Sequence, residues 1–128
     1  MKVIYFTRRQ WGKPKSKASK AHAARKRVKD ADRLLKDAYW GREVKIKAGH
    51  KCEKCGAMKG LQAHHIITRR NASVRHYIPN GCALCRGHHK FFAHLKPHEF
   101  REWIIGKRGQ AWWDDLQDKA NTRRVRYA

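Results

Sequence analysis

The chain has 128 residues, with 32 Lys and Arg against 10 Asp and Glu, a formal charge of +22 and an isoelectric point near 10.6. A surface of that charge points to a polyanionic partner, nucleic acid before an anionic membrane. No apolar run approaches the roughly 18–20 residues of a membrane-spanning helix, and Val3-Ile4-Tyr5-Phe6 is too short for the apolar core of a signal peptide, so the expected location is the cytoplasm.

The first 29 residues carry eleven Lys and Arg and no Asp or Glu. Lys13-Pro14-Lys15-Ser16-Lys17 has the character of a turn or linker, because Pro14 lacks a donor and the like charges repel. From about Ser19 the spacing becomes helical, with Ala24, Val28, Ala31, Leu35 and Ala38 forming one apolar stripe. Gly41 is the expected stop, followed by a shorter helix from Arg42 to Ala48 ending at Gly49. This divides the chain into a basic arm and helix (1–40), a central domain with a helical extension (41–118) and a basic tail (119–128).

Residues 50–95 hold all four cysteines and seven of the nine histidines, punctuated by Gly56, Gly60, Pro79-Asn80-Gly81 and Gly87. Gln62 to Thr68 reads as a strand, and Tyr77 to Leu84 as a second one interrupted by its turn. A helix through Phe91, Phe92 and Leu95 follows Cys85 and stops before Pro97. Pro97 opens the next helix, carrying Phe100, Trp103 and Ile104 and broken at Gly106 and Gly109. A last helix carries Trp112, Trp113 and Leu116. The tryptophans at helical spacing read first as packing residues. The fold class is α+β.

In a reducing compartment the cysteines read as metal ligands before disulfides. Cys52-x-x-Cys55 and Cys82-x-x-Cys85 are two CxxC turns, and Cys85-x-x-His88 overlaps the second. Two such turns close a tetrahedral structural zinc site, whose binding energy becomes folding energy in a small chain. Residue types alone favour Cys52, Cys55, Cys82 and Cys85 as the ligands. The alternative is Cys52, Cys55, Cys85 and His88, with Cys82 as a small apolar strand residue.

Between the zinc pairs stands Leu61-Gln62-Ala63-His64-His65-Ile66. Adjacent strand residues point to opposite faces, so His64 and His65 cannot share one role. Closure of the zinc turns would bring His64 near His89 and allow a second, distinct metal site. A divalent ion there could neutralise charge on a phosphate, with a neutral imidazole as base for the attacking water.

The order Cys52-x-x-Cys55, Leu61-x-x-His64-His65-Ile66, Asn80-Gly81, Leu84-Cys85-x-x-His88-His89 resembles the HNH endonuclease (ββα-metal) pattern over residues 50–94. The resemblance implies a β-hairpin and helix around a catalytic divalent ion, Mg2+ or Mn2+ or another, pinned by a structural zinc. By position, His64 resembles the first metal ligand, His65 the general base, Asn80 the residue that braces the hairpin loop, and His89 the helix-opening ligand. The family's asparagine stands five residues before the third zinc ligand, as Asn80 does before Cys85, which favours Cys52, Cys55, Cys85 and His88 for the zinc. Two features depart from the pattern. His88 replaces a cysteine, and the histidine often found four residues after the helix-opening one is here Ala93, with His94 one later as a candidate third ligand.

The partner implied is double-stranded DNA, cut or nicked to leave a 5′-phosphate. Arg69, Arg70 and Arg75, beside His76, are the candidate phosphate contacts near the cut, and Arg25, Lys26 and Arg27 those further out. Pro97 to Leu116 resembles the C-terminal extension of phage and prophage HNH proteins. That suggests DNA-packaging or recombination proteins as further partners and the host cytoplasm as the location. A two-fold homodimer would convert nicking into double-strand cleavage, though no stretch is diagnostic of one. The competing readings are an inactive, zinc-stapled DNA-binding module and an RNA-binding zinc protein. The charge permits the latter, but it does not account for the His-His and Asn spacing.

Overall fold

The computed structural model describes residues 16–122, in an α+β arrangement of four helices and one two-stranded antiparallel sheet. The expected basic arm before residue 16 and the last residues of the tail lie outside the described range. The chain falls into two compact units that divide between Leu34 and Leu35. Among the described residues no helix is long and apolar enough to cross a membrane.

Helix α1 runs unbroken from Lys17 to Lys47, so Gly41 does not stop it. A glycine inside a helix costs only about 1 kcal/mol relative to alanine, and this one lies against Ala63, where an added Cβ would sit 3.8 Å from that side chain. The stop comes at Gly49. Its N–H donates to Ile46 O and that of His50 to Lys45 O, both at 2.9 Å, and Gly49 takes φ +69°. This is a Schellman cap with glycine in the left-handed position. The expected apolar stripe is not the packed face, for Val28 and Leu35 are exposed and the helix buries Trp40 and Val44 instead. Within the first unit, Arg25, Lys26 and Arg27 are exposed on the helix.

In the second unit, β1 (Gln62–His65) pairs with β2 (Gly81–Leu84) in the register Gln62↔Leu84, Ala63↔Ala83, His64↔Cys82, His65↔Gly81. Both strands are shorter than the sequence implies. The stretch after His65 enters a long loop, and Ile78–Asn80 forms a 3-10 turn directed by Pro79. Every residue of β2 is buried, because each face of the hairpin has its own cover. Cys82 and Leu84 pack with Cys52, Ala93, Phe100 and Ile104 on one side, and Ala83 packs with Trp40 and Val44 on the other.

After β2, α2 (Arg86–His88) continues as a π-helix over His89–His94. Helix α3 (Pro97–Arg108) follows, with Pro97 in its first turn, and passes through Gly106 to end at Gly109, φ +95°. Helix α4 (Gln110–Asn121) carries the buried Leu116 and runs past residue 118. Trp103 packs between Phe92 and Phe100, and the Trp112 indole N–H donates to Pro79 O at 3.1 Å.

Candidate functional site

Two clusters of metal-ligating atoms occur among the described residues. One is Cys52, Cys55, Cys85 and His88, and the other is His64, His89 and His94. Within each, the donor atoms lie no more than 4.8 Å apart.

The first cluster is set by two tight turns. The Cys52 N–H donates to Ala57 O and the Gly56 N–H to Cys52 O, both at 2.8 Å, which folds the first turn back on itself, with Gly56 at φ +76°. The second turn opens α2, with Cys85 as its extended N-cap residue. Cys52 Sγ stands 3.6 Å and Cys85 Sγ 3.3 Å from His88 Nδ1, and Cys55 Sγ 3.8 Å from Cys85 Sγ. Zinc–sulfur bonds near 2.3 Å and zinc–nitrogen bonds near 2.0–2.1 Å give tetrahedral edges of about 3.6–3.8 Å, so the three-thiol, one-imidazole set fits a zinc-like ion. All four thiols are free of disulfides. Burial alone would raise the Cys52 thiol, but the backbone N–H groups of Cys85, Cys55 and Lys54, together with His88, bring it down to about 6, toward the ligating thiolate.

Cys82 stands outside this cluster. It is fully buried in the hairpin core, and burial, reinforced by Glu53, pushes its thiol well above the ordinary range, so it remains protonated. Of the two ligand sets left open by the cysteine spacings, the geometry gathers the one with His88.

The second cluster lies on the Cys82 face of the hairpin. His64 projects from β1 and meets His89 and His94 edge-on, with ring centres 5.2 and 5.1 Å away, while Phe100 closes its far side at 5.1 Å. His89 Nε2 and His94 Nε2 are 3.2 Å apart. For metal–nitrogen bonds near 2.0–2.1 Å, adjacent ligands are separated by about 2.9–3.4 Å, so His89 and His94 have the span of two ligands of one ion, and the His64 donor lies within 4.8 Å of both. The π-helix explains how His94 takes part. Five residues separate it from His89, and the wider turn brings the i and i+5 side chains onto one face, where an α-helix would present i and i+4. Burial first, then His89, His94 and His65, push the His64 imidazole down to about 3. Burial and then His94 lower His89 as well. Neutral rings are the ligating form.

His65 points to the opposite face. It stacks on Trp40, centroids 3.8 Å apart and planes 8° from parallel, and its Nε2 lies 3.0 Å from Arg75 O. A carbonyl can only accept, so Nε2 carries the proton and Nδ1 keeps its lone pair. Burial lowers its pKa despite the opposing effects of that carbonyl and Asp37. As the last residue of β1, His65 still borders the same cleft as His64, a space of about 540 Å³ also lined by Thr68, Arg69 and Arg101.

Asn80 is fully buried within the loop that joins the strands. Its Nδ2 donates to Ile67 O (2.9 Å) and Val74 O (3.1 Å), and its Oδ1 accepts from Ile67 N (2.7 Å). It therefore ties both ends of the loop that supplies the Arg75 carbonyl to His65.

Arg75, a candidate phosphate contact, is held by Asp37 through two bonds of 2.8 and 2.7 Å, and His76 joins the same carboxylate at 2.6 Å. The Arg75 side chain, and chiefly its hydrogen bond, holds the Asp37 carboxyl down near 2. Both side chains are thereby tied to one carboxylate from α1. Arg69 and Arg70 are exposed, and Arg69 lines the cleft.

Sequence reasoning missed three elements. Asp37 and Trp40, which position the His65 loop and ring, are separated from it by 25 residues or more. The ion pair of Glu53 with Arg108 at 2.9 Å is another, with Arg108 also donating to Pro79 O and Gly81 O and Glu53 accepting from Ala83 N. Burial would raise the Glu53 carboxyl, but Arg108 and the Ala83 N–H outweigh it and hold the group below its usual range. Arg101 is the third, on a helix that read as packing alone. A search for related proteins found no matching family model, no matching curated protein and no matching solved structure.

Proposed function

We propose that this chain is a metal-dependent endonuclease of the HNH (ββα-metal) type that hydrolyses phosphodiester bonds in DNA. The observation that carries this reading is the division of labour at the end of β1. His64 gathers with His89 and His94 into a three-imidazole cluster, while its neighbour His65, fixed by a backbone carbonyl, borders the same cleft. The net charge of +22 supplies attraction for a polyanion.

His64, His89 and His94 would hold a divalent ion, and Cys52, Cys55, Cys85 and His88 a structural zinc. Bound at the imidazoles, the divalent ion supplies Lewis-acid stabilisation of charge on the phosphoryl and leaving oxygens. His65 does the proton chemistry. Its Nε2–H is engaged by Arg75 O, so Nδ1 accepts the proton of a water placed in the cleft. The Trp40 ring blocks rotation of the imidazole, and Asn80 fixes the loop whose carbonyl selects the tautomer. An all-nitrogen ligand set without a carboxylate suits Ni2+, Co2+ or Zn2+ better than Mg2+, which prefers oxygen, with Mn2+ closer to Mg2+ in that preference.

The test is supercoiled plasmid incubated with Mn2+ or Mg2+ and either wild-type protein or His65→Ala. Wild type is expected to nick or linearise the plasmid. His65→Ala should lose about 10²–10⁴-fold in rate, the usual worth of a general base, with unchanged zinc content and circular dichroism. Equal binding with no cutting by either protein would leave a basic DNA-binding module in place of the enzyme.

A further inference from the structure

The cleft beside the three imidazoles carries cations as well as ligands. Arg69 enters from the hairpin loop and Arg101 from α3, one residue after the Phe100 ring that edges onto His64. No Asp or Glu lines this space. Elsewhere in the same unit, Arg75 is neutralised by Asp37 and Arg108 by Glu53. Among the described residues neither Arg69 nor Arg101 has a carboxylate partner. Arg101 is supported differently, its guanidinium carbon 5.6 Å from the centre of the Trp113 ring, an arrangement that orients the group and leaves its charge uncompensated. A cleft of this size whose charged side chains are all cationic calls for an anionic ligand.

We propose that Arg101, steadied by Trp113, binds a backbone phosphate of the substrate strand adjacent to the one attacked. This rests on the nuclease reading above. The planar guanidinium offers paired N–H donors that match two phosphate oxygens. Arg101 enters the cleft from α3 and Arg69 from the hairpin loop, so that together they set the direction in which the strand crosses His64 and His65. A contact of this kind fixes register and contributes no base preference.

The experiment uses the full chain with its zinc and a duplex that it cuts at one place. A single neutral methylphosphonate replaces one phosphate at a time around the cut. Wild type should lose about tenfold or more in cleavage at one neighbouring position. Arg101→Ala should cut the unmodified duplex more slowly by a similar factor and show no further loss at that position, while keeping its normal losses elsewhere. Arg101→Lys should recover part of the rate. Binding of labelled duplex without added divalent ion gives a second readout, in which the slope of log affinity against log salt should be shallower by about 0.9 in Arg101→Ala. An unchanged slope, or a methylphosphonate penalty identical in wild type and variant, overturns the proposal. If wild type cuts no duplex under any divalent ion, the nuclease reading fails instead, and the salt slope alone still decides whether Arg101 meets a phosphate.

Discussion

Asn80 donates twice and accepts once inside a loop that has no strand neighbours to hold it. Asn80→Ala strands the Ile67 carbonyl and the Ile67 N–H, while Val74 O keeps the Tyr77 N–H, at about 1–3 kcal/mol for each unsatisfied group. The expected loss of unfolding free energy is about 2 kcal/mol or more, read from urea denaturation. A loss below about 1 kcal/mol would mean that the loop keeps its shape unaided. The cysteines separate as sharply. Cys85→Ser removes a thiolate from the four-ligand cluster and should abolish stoichiometric zinc. Cys82→Ala only trims a sulfur from the core, so the protein should retain one zinc and lose about 1–2 kcal/mol, as metal analysis and denaturation of the two variants would show. Wild-type zinc content in Cys85→Ser would exclude this ligand set.

At the scale of elements, the local signals in the sequence were informative and the long-range ones were silent. CxxC turns, Gly49 as a cap and Pro97 as a helix start depend on a few neighbouring residues, and each appears where the spacing put it. The apolar stripe of α1 misled, because Val28 and Leu35 have the period of a packed face without a partner for it among the described residues, whereas Trp40 and Val44 are buried by a hairpin some 40 residues later. The Asp37 partner of Arg75 was silent in the sequence because nothing near Arg75 reveals it. The one-residue displacement of His94 looked like a defect in the ligand pattern, since no simple rule predicts a π-turn, yet that turn restores the face. Deleting the exposed Lys90 shortens the His89–His94 spacing to four and permits an ordinary α-helix. The shortened protein should bind Mn2+ or Co2+ within about tenfold of wild type by calorimetry. A complete loss of binding would show that the wide turn itself is required.

For the molecule as a whole, the first cluster is placed where an ion would add to stability. A chain of 128 residues has a thin core, and the first cluster links the stretch before β1 to the stretch after β2. Its ligands must be deprotonated to bind. Cys52 has its pKa lowered from 9.0 to about 6, so the stability its thiolate contributes is complete above about 9, declines as pH falls and is gone below about 6. The Ala57 N–H favours the Cys55 thiolate, but burial and the neighbouring Cys52 and Cys85 sulfurs raise that thiol overall. Cys55 must therefore release a proton to ligate, and zinc affinity, measured by competition with a chelator, should drop steadily from pH 8 to pH 6. A flat profile over that range would contradict the assignment of thiolate ligands.

His88 and His89 are consecutive, yet the first belongs to the sulfur-rich cluster and the second to the imidazole cluster. A single peptide bond thus joins the two metal stations, and the helix presenting His89 and His94 starts from a turn that the zinc ligands anchor. If the proposed nuclease reading holds, stripping the thiolate site removes the footing of its neighbour, so cutting silenced by a strong chelator would stay silent when manganese alone is returned and would revive only after zinc had rebuilt the anchorage.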